Sequence, residues 1–195
     1  PWSADHQELM RNVSLEYQKY RISPGNIALG QVARYNMTVS NGVVSVDFSG
    51  TDPWLGYCLD ELNFTSFRFP LTGYSPRRAD MDASTGHPDS IYFWGDPPYD
   101  MTPLYADHIG QYIKLVAEHY RQKGWLDKAY VYVTDEPVAF NDAVDSYWQH
   151  PDYHVVQQFH DLVKVNAPDL KFVNTVQPVP ELFNYTDVWA VPGGC

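Results

Sequence analysis

The stretch Ala129-Tyr130-Val131-Tyr132-Val133-Thr134-Asp135-Glu136-Pro137 sets the terms on which the rest of the chain is read. An unbroken run of β-branched and aromatic residues predicts a strand from Ala129 to Thr134. It ends on two adjacent carboxylates and a proline. Upstream, Leu104 to about Lys123 carries Ile109, Tyr112, Leu115, Val116 and Tyr120 at helical spacing, and Gly124 stands where a C′ glycine ends a helix. Downstream, a helix is predicted from about Tyr153 to Asn166. Pro168, a strand from Lys171 to Thr175 and an extended piece around Asp187 to Val191 follow it. Strands alternating with helices at this spacing imply parallel pairing and an α/β layer architecture. At this level a doubly wound sheet and an open piece of barrel look the same.

Toward the N-terminus, residues 3 to 20 read as a helix, with Ser3 as its cap and Leu9, Met10, Val13, Tyr17 and Tyr20 as its apolar stripe. Ser23-Pro24-Gly25-Asn26 breaks it. Val43 to Phe48 is rich in β-formers. Thr51 or Asp52 can cap a short helix through about Leu62 with Pro53 in its first turn, and Phe64 to Phe69 is the next strand. Residues 70–103 differ in character: glycine, proline, aspartate and serine dominate, with Tyr74, Tyr92, Phe93, Trp94 and Tyr99 interspersed. So long a connection inside a compact domain is functional or disordered, and its aromatic content argues for function. The chain is read as one domain, residues 1–195, with an active-site loop at about 70–103.

Composition narrows the function classes. Thirteen Lys and Arg against 24 Asp and Glu give a net charge of −11, so no basic surface is available for nucleic acid or anionic membranes. Apolar runs reach only four or five residues, too short for a bilayer span. With 19% charged and 15% aromatic residues the chain is not of the disordered type. Two cysteines, Cys58 and Cys195, form no zinc spacing, and Cys58 reads as a small buried hydrophobe. Four N-x-S/T sequons begin at Asn12, Asn36, Asn63 and Asn184, where nine asparagines would give about one by chance. The excess predicts a secreted, glycosylated chain.

The chemistry is expected at Asp135 and Glu136, because α/β folds place active sites at the carboxyl ends of parallel strands. Strand alternation sends the two side chains to opposite faces, but the strand ends here and Pro137 biases Glu136 toward extended backbone, so both can flank a pocket. Neighbouring carboxylates resist double ionisation, which leaves one protonated at neutral pH, as glycosidic cleavage requires. The alternative is structural: Asp135 caps the following segment and Glu136 is solvated. Trp94, in the long loop, can stack on a sugar face or anchor the loop. Asn174 and Thr175 end the next strand and can bond sugar hydroxyls, and Trp189 holds a second strand-end position or belongs to the core. Arg68, inside a strand, must be ion-paired or face a cleft. His150, His154 and His160 have a helical ligand-like spacing. Pro151 and the absence of a nearby glutamate make them surface histidines, so no metal and no cofactor is expected. Nucleotide-binding, serine-hydrolase and zinc-protease motifs do not occur.

The segment Gly124-Trp-Leu-Asp-Lys-Ala-Tyr-Val-Tyr-Val-Thr-Asp-Glu-Pro137 resembles the catalytic strand of glycoside hydrolase family 123 and of the related bacterial domain of unknown function 4091. Arg21-Ile-Ser-Pro24, Leu59-Asp-Glu-Leu62, Asn166-Ala-Pro-Asp-Leu-Lys171 and Asp187-Val-Trp189 support the likeness. The resemblance implies a (β/α)8 TIM-barrel-like enzyme that removes terminal β-linked N-acetylgalactosamine by substrate-assisted retention. Glu136 would be the general acid/base, and Asp135 would orient the 2-acetamido group that attacks the anomeric carbon. A complete barrel takes roughly 250 residues, and this chain shows about five or six strands, so an incomplete barrel is expected. Two alternatives remain. One is a non-catalytic carbohydrate-binding or structural fragment of the same scaffold. The other is an ordinary two-carboxylate retaining glycosidase, with Asp47, Asp96 or Asp187 facing Glu136.

Overall fold

The computed structural model describes residues 3–25, 35–71, 101, 103–133 and 153–191. Helix α1 (Ala4–Lys19) starts at Ser3, whose hydroxyl accepts from the His6 N–H at 3.3 Å, and ends with Arg21 in the left-handed region (φ 56°). Its inward face is Met10, Ser14 and Tyr17. Leu9 and Tyr20, expected in the apolar stripe, are instead 59% and 65% exposed. Positions 10, 14 and 17 repeat at helical spacing; Leu9 falls off that line, and Tyr20 lies past the helix as its C-cap.

Strands β1 (Asn36–Ser40) and β2 (Val43–Asp47) form an antiparallel hairpin that the sequence reading saw only by half. Asn41 and Gly42 make its two-residue turn at φ 52° and 77°, the twist such hairpins favour. Gln111 ties the hairpin to helix α3 (Pro103–Lys123): its Oε1 accepts from the Val44 N–H and its Nε2 donates to the Gly42 carbonyl. Helix α2 (Asp52–Gly56) runs into a wider turn over Tyr57–Glu61, which buries Leu55, Cys58 and Leu59. Burial pushes the Cys58 thiol up to about 12, so it behaves as an inert hydrophobe.

The second sheet is parallel, in the order β3 (Phe67–Arg68), β4 (Ala129–Val131), β5 (Lys171–Asn174), β6 (Val188–Trp189). Before β3 lies one further row of chain: the Ser23 hydroxyl accepts from the Thr65 N–H and the Gly25 carbonyl from the Arg68 N–H, both at 2.9 Å. Residue numbers rise together on both sides, so this row also runs parallel. Helix α3 precedes β4, and helix α4 (Tyr153–Asn166) precedes β5. The two pack closely where Gly110 lies against the Asn166 amide, a contact that a β-carbon would tighten to 3.0 Å. The chain is therefore an α/β protein with a parallel sheet.

Both helices lie on one face of that sheet. Tyr120 of α3 meets Phe67 and Phe69 edge-on at 5.3 and 5.8 Å, and His160 of α4 meets Phe172 at 5.5 Å. Phe67, Phe69, Ala129, Val131, Val133, Phe172 and Asn174 all face this layer and are buried. Each large apolar side chain among them contributes roughly 1.5–3 kcal/mol by leaving water. His160, expected at the surface, keeps only 13% of its side chain exposed, between Phe172 and Tyr185.

Candidate active site

The period of two along a strand gives the sheet a second face. Register pairs Arg68 with Tyr130, and Tyr130 with Lys171. Arg68, Tyr130, Tyr132, Val173 and Thr175 thus share the face turned away from the helices. All five are half-buried, where their neighbours in the chain are fully buried or held in the helix layer.

Three of these side chains form a row across β3, β4 and β5 at their carboxyl ends. The Arg68 guanidinium lies 4.8 Å from the Tyr132 ring centroid, and the Tyr132 hydroxyl is 3.2 Å from the Thr175 hydroxyl. Tyr132 is therefore held from both sides, three residues before Asp135. Below it, Tyr130 presses its hydroxyl against Gly25, where a β-carbon would collide with it. Only glycine admits this approach. Burial lowers the Arg68 guanidinium below its ordinary value, with Tyr132 and Tyr130 opposing the shift. Burial also raises the Tyr130 phenol, and Arg68 opposes that. Among the described residues, no carboxylate lies within ion-pair distance of Arg68.

Asn174 and Trp189 sit on the other face. Register pairs them, and Asn174 is buried in the helix layer with its Nδ2 donating to the Thr186 hydroxyl at 2.6 Å and to the Tyr185 carbonyl at 3.4 Å. Trp189 meets Phe183 edge-on at 6.2 Å. The structure thus brings Arg68 and Thr175 together around Tyr132 and leaves Asn174 and Trp189 behind the sheet. Trp94, Asp135, Glu136, Asp96, His150 and most of the 70–103 loop lie outside the described residues. Asp47 accepts from the Ser49 N–H and hydroxyl beyond the hairpin, and Asp187 accepts from the Phe172 N–H and from Lys164. Tyr130 and Tyr132 are members of the face opposite the helices that motif reading passes over. Their alternation within the quoted strand is the signal that finds them.

A second concavity, of about 550 Å³, lies between Asp52, Tyr57, Asp60, Glu61, Lys123 and Trp125. Glu61 and Trp125 precede β3 and β4, so it opens at the amino ends of the strands. Two of its carboxylates are engaged: Asp52 bonds His119 Nε2 at 2.9 Å and lies 3.6 Å from Lys123, and Asp60 accepts from Trp125 Nε1 at 2.9 Å. Among the described residues, no group of three His, Cys, Asp or Glu side chains could hold a metal ion, and no helix is long and apolar enough to cross a membrane.

The family model for the catalytic domain of glycoside hydrolase family 123 matches residues 1–182 of this chain. No curated protein matches it.

Proposed function

Because the chain belongs to glycoside hydrolase family 123, we propose that it cleaves terminal β-linked 2-acetamido sugars, with N-acetylgalactosamine as substrate, by substrate-assisted retention. The family makes it a glycoside hydrolase acting on carbohydrate. The observation that carries the finer reading is sequence position: Asp135 and Glu136 follow Val133 after a single residue, Thr134, beyond the carboxyl end of a strand flanked by parallel neighbours on both sides. Parallel order with helices on one face supports a (β/α)8 arrangement, in which that end of the strands carries the site.

In this mechanism Glu136 gives its proton to the glycosidic oxygen while the acetamido carbonyl oxygen attacks the anomeric carbon. The bond to the leaving group breaks as an oxazolinium ring closes. Asp135 holds the acetamido N–H and stabilises the positive charge that develops there. Water then attacks the anomeric carbon from the vacated side, Glu136 takes its proton, and the ring opens with retained configuration. No protein nucleophile is needed, so two adjacent carboxylates suffice where the two-carboxylate route wants a pair roughly 5–5.5 Å apart. The clamp on Tyr132 supports this reading, since it fixes the approach to the pair from both neighbouring strands.

Secretion is part of the proposal. The four sequon asparagines Asn12, Asn36, Asn63 and Asn184 are all exposed, on three different kinds of local structure and one loop. Hydrolysis of 4-nitrophenyl β-N-acetylgalactosaminide by wild type, Glu136→Gln and Asp135→Asn tests the mechanism. Both variants should lose about 10²–10⁴-fold in kcat. Wild-type turnover by Glu136→Gln removes Glu136 from the acid role, and the absence of turnover on any acetamido sugar removes the substrate-assisted mechanism.

A further inference from the structure

Arg68 is costly where it stands. A guanidinium half-withdrawn from water needs a partner, and burial already weakens its hold on the proton. Elsewhere in the fold two cations are answered by carboxylates, exposed Arg121 by Glu118 and Asp169 and half-buried Lys164 by Asp187, and half-buried Lys128 by the Leu59 carbonyl. Among the described residues Arg68 has no carboxylate but an aromatic face, the Tyr132 ring at 4.8 Å. A ring engages the guanidinium plane and leaves its N–H edges unspent, and those edges are the part that binds oxyanions in pairs. The side chain lies on the sheet face opposite the helices and reaches up toward the carboxyl end of β4. The chain's net charge of −11 rules out a general attraction for anions, so affinity for one must be local.

We infer that Arg68 receives an anionic substituent of the glycan, a sulfate or a carboxylate, through the guanidinium edge that no described carboxylate engages, beside Tyr132. This rests on the proposed glycosidase and names its substrate class: an acid-substituted glycan that ends in a 2-acetamido sugar. A sulfate would come from the terminal sugar itself, and a carboxylate from a uronic acid next to it.

The test compares kcat/KM on three substrates: the neutral aryl β-N-acetylgalactosaminide, its 6-O-sulfate, and a disaccharide joining N-acetylgalactosamine to glucuronate. Wild type should favour at least one anionic substrate over the neutral one tenfold or more, and which one identifies the source of the anion. Arg68→Met should lower that anionic-to-neutral ratio at least tenfold, and Arg68→Lys, which keeps the charge without the fork, should fall between. Calorimetric binding of free N-acetylgalactosamine, its 6-sulfate and glucuronate reads the same preference without hydrolysis. Arg68-dependent binding of an anion with no turnover of any substrate sustains the inference and rejects the proposed reaction. A wild type indifferent to the anion, in turnover and in binding, overturns it. So does an Arg68→Met that loses neutral and anionic substrates in equal proportion. Thermal midpoints of both variants identify any that fails to fold, and Arg68→Lys decides the matter if Arg68→Met does.

Discussion

The two ends of the parallel strands are built by opposite rules. At the amino end, charge is matched and aromatic rings are closed over it: Asp52 takes bonds from His119 and from the Tyr35 hydroxyl and lies near Lys123, while Phe48 stacks on the His119 ring at 3.8 Å. Lys128 donates to the Leu59 carbonyl and Trp125 to Asp60, so the turns entering β3 and β4 are tied to each other. At the carboxyl end, the described polar groups form a row, Arg68 to Tyr132 to Thr175, that contains a cation and no described anion. The first arrangement spends its polar groups on holding the fold. The second sets its one cation against an aromatic ring where the first sets cations against a carboxylate.

Removing one charge at each end tests that contrast with the largest expected effect. Asp52→Ala strips His119, Lys123 and Tyr35 of a shared acceptor. It should cost about 2–3 kcal/mol, short of a fully buried pair because 17% of the Asp52 side chain is exposed. Arg68→Met leaves no described ion partner behind and should move stability by no more than about 1 kcal/mol, the worth of its contact with the ring. Urea denaturation of the two variants beside wild type gives both numbers. Equal losses would mean that Arg68 is as structural as Asp52 and that the two ends do not differ.

A smaller effect is expected from Gly25→Ala, which leaves every charge in place. The added carbon meets the Tyr130 hydroxyl on the face opposite the helices, and the row through Gly25 and Arg68 or the Tyr130 ring must shift to admit it. Overpacking of this kind costs about 1–2 kcal/mol. Pairing Gly25→Ala with Tyr130→Phe, which clears the obstructing oxygen, should restore most of the loss. If it does not, the glycine is there for some reason other than Tyr130.

These contrasts also show what the sequence carried. Helix α4 and the strands at Ala129, Lys171 and Val188 follow from periodicity and punctuation, because each is a long or well-bounded apolar pattern. Strand β1 does not: Asn36 to Ser40 has few strong β-formers, and only the Asn41-Gly42 turn betrays its partner. The stripe on α1 misleads because a short surface helix exposes Leu9 as readily as it buries Ser14. Among the site residues, position at a strand end found Asn174 and Trp189, but facing depends on parity, and parity puts both behind the sheet. Arg68 and Thr175 have the other parity. What no local pattern could give is the row itself, since Arg68, Tyr132 and Thr175 come together only through the register of three strands.

The smallest effect concerns Asp187, which fastens β6 to the start of β5 at the scaffold end. Its carboxylate accepts from the Phe172 N–H at 2.7 Å and from Lys164 at 2.8 Å, while its own N–H donates to the Phe172 carbonyl. Burial pushes this carboxyl up, but the Lys164 bond, the Phe172 N–H, and the charges of Lys164 and His160 together outweigh it and hold the group below the usual aspartate range. A depressed carboxyl stabilises the fold above its unfolded value, near 3.9, and that contribution drains away as pH falls through the folded value. The stability gap between wild type and Asp187→Asn should therefore be constant from pH 7 to about 5 and narrow below about 4. Comparing the two proteins at each pH cancels the acid response of every other carboxylate, which matters in a chain of net charge −11. Because 39% of the Asp187 side chain meets solvent, the change should be modest, and a gap that stays level to pH 3 would show that Asp187 acts through shape alone.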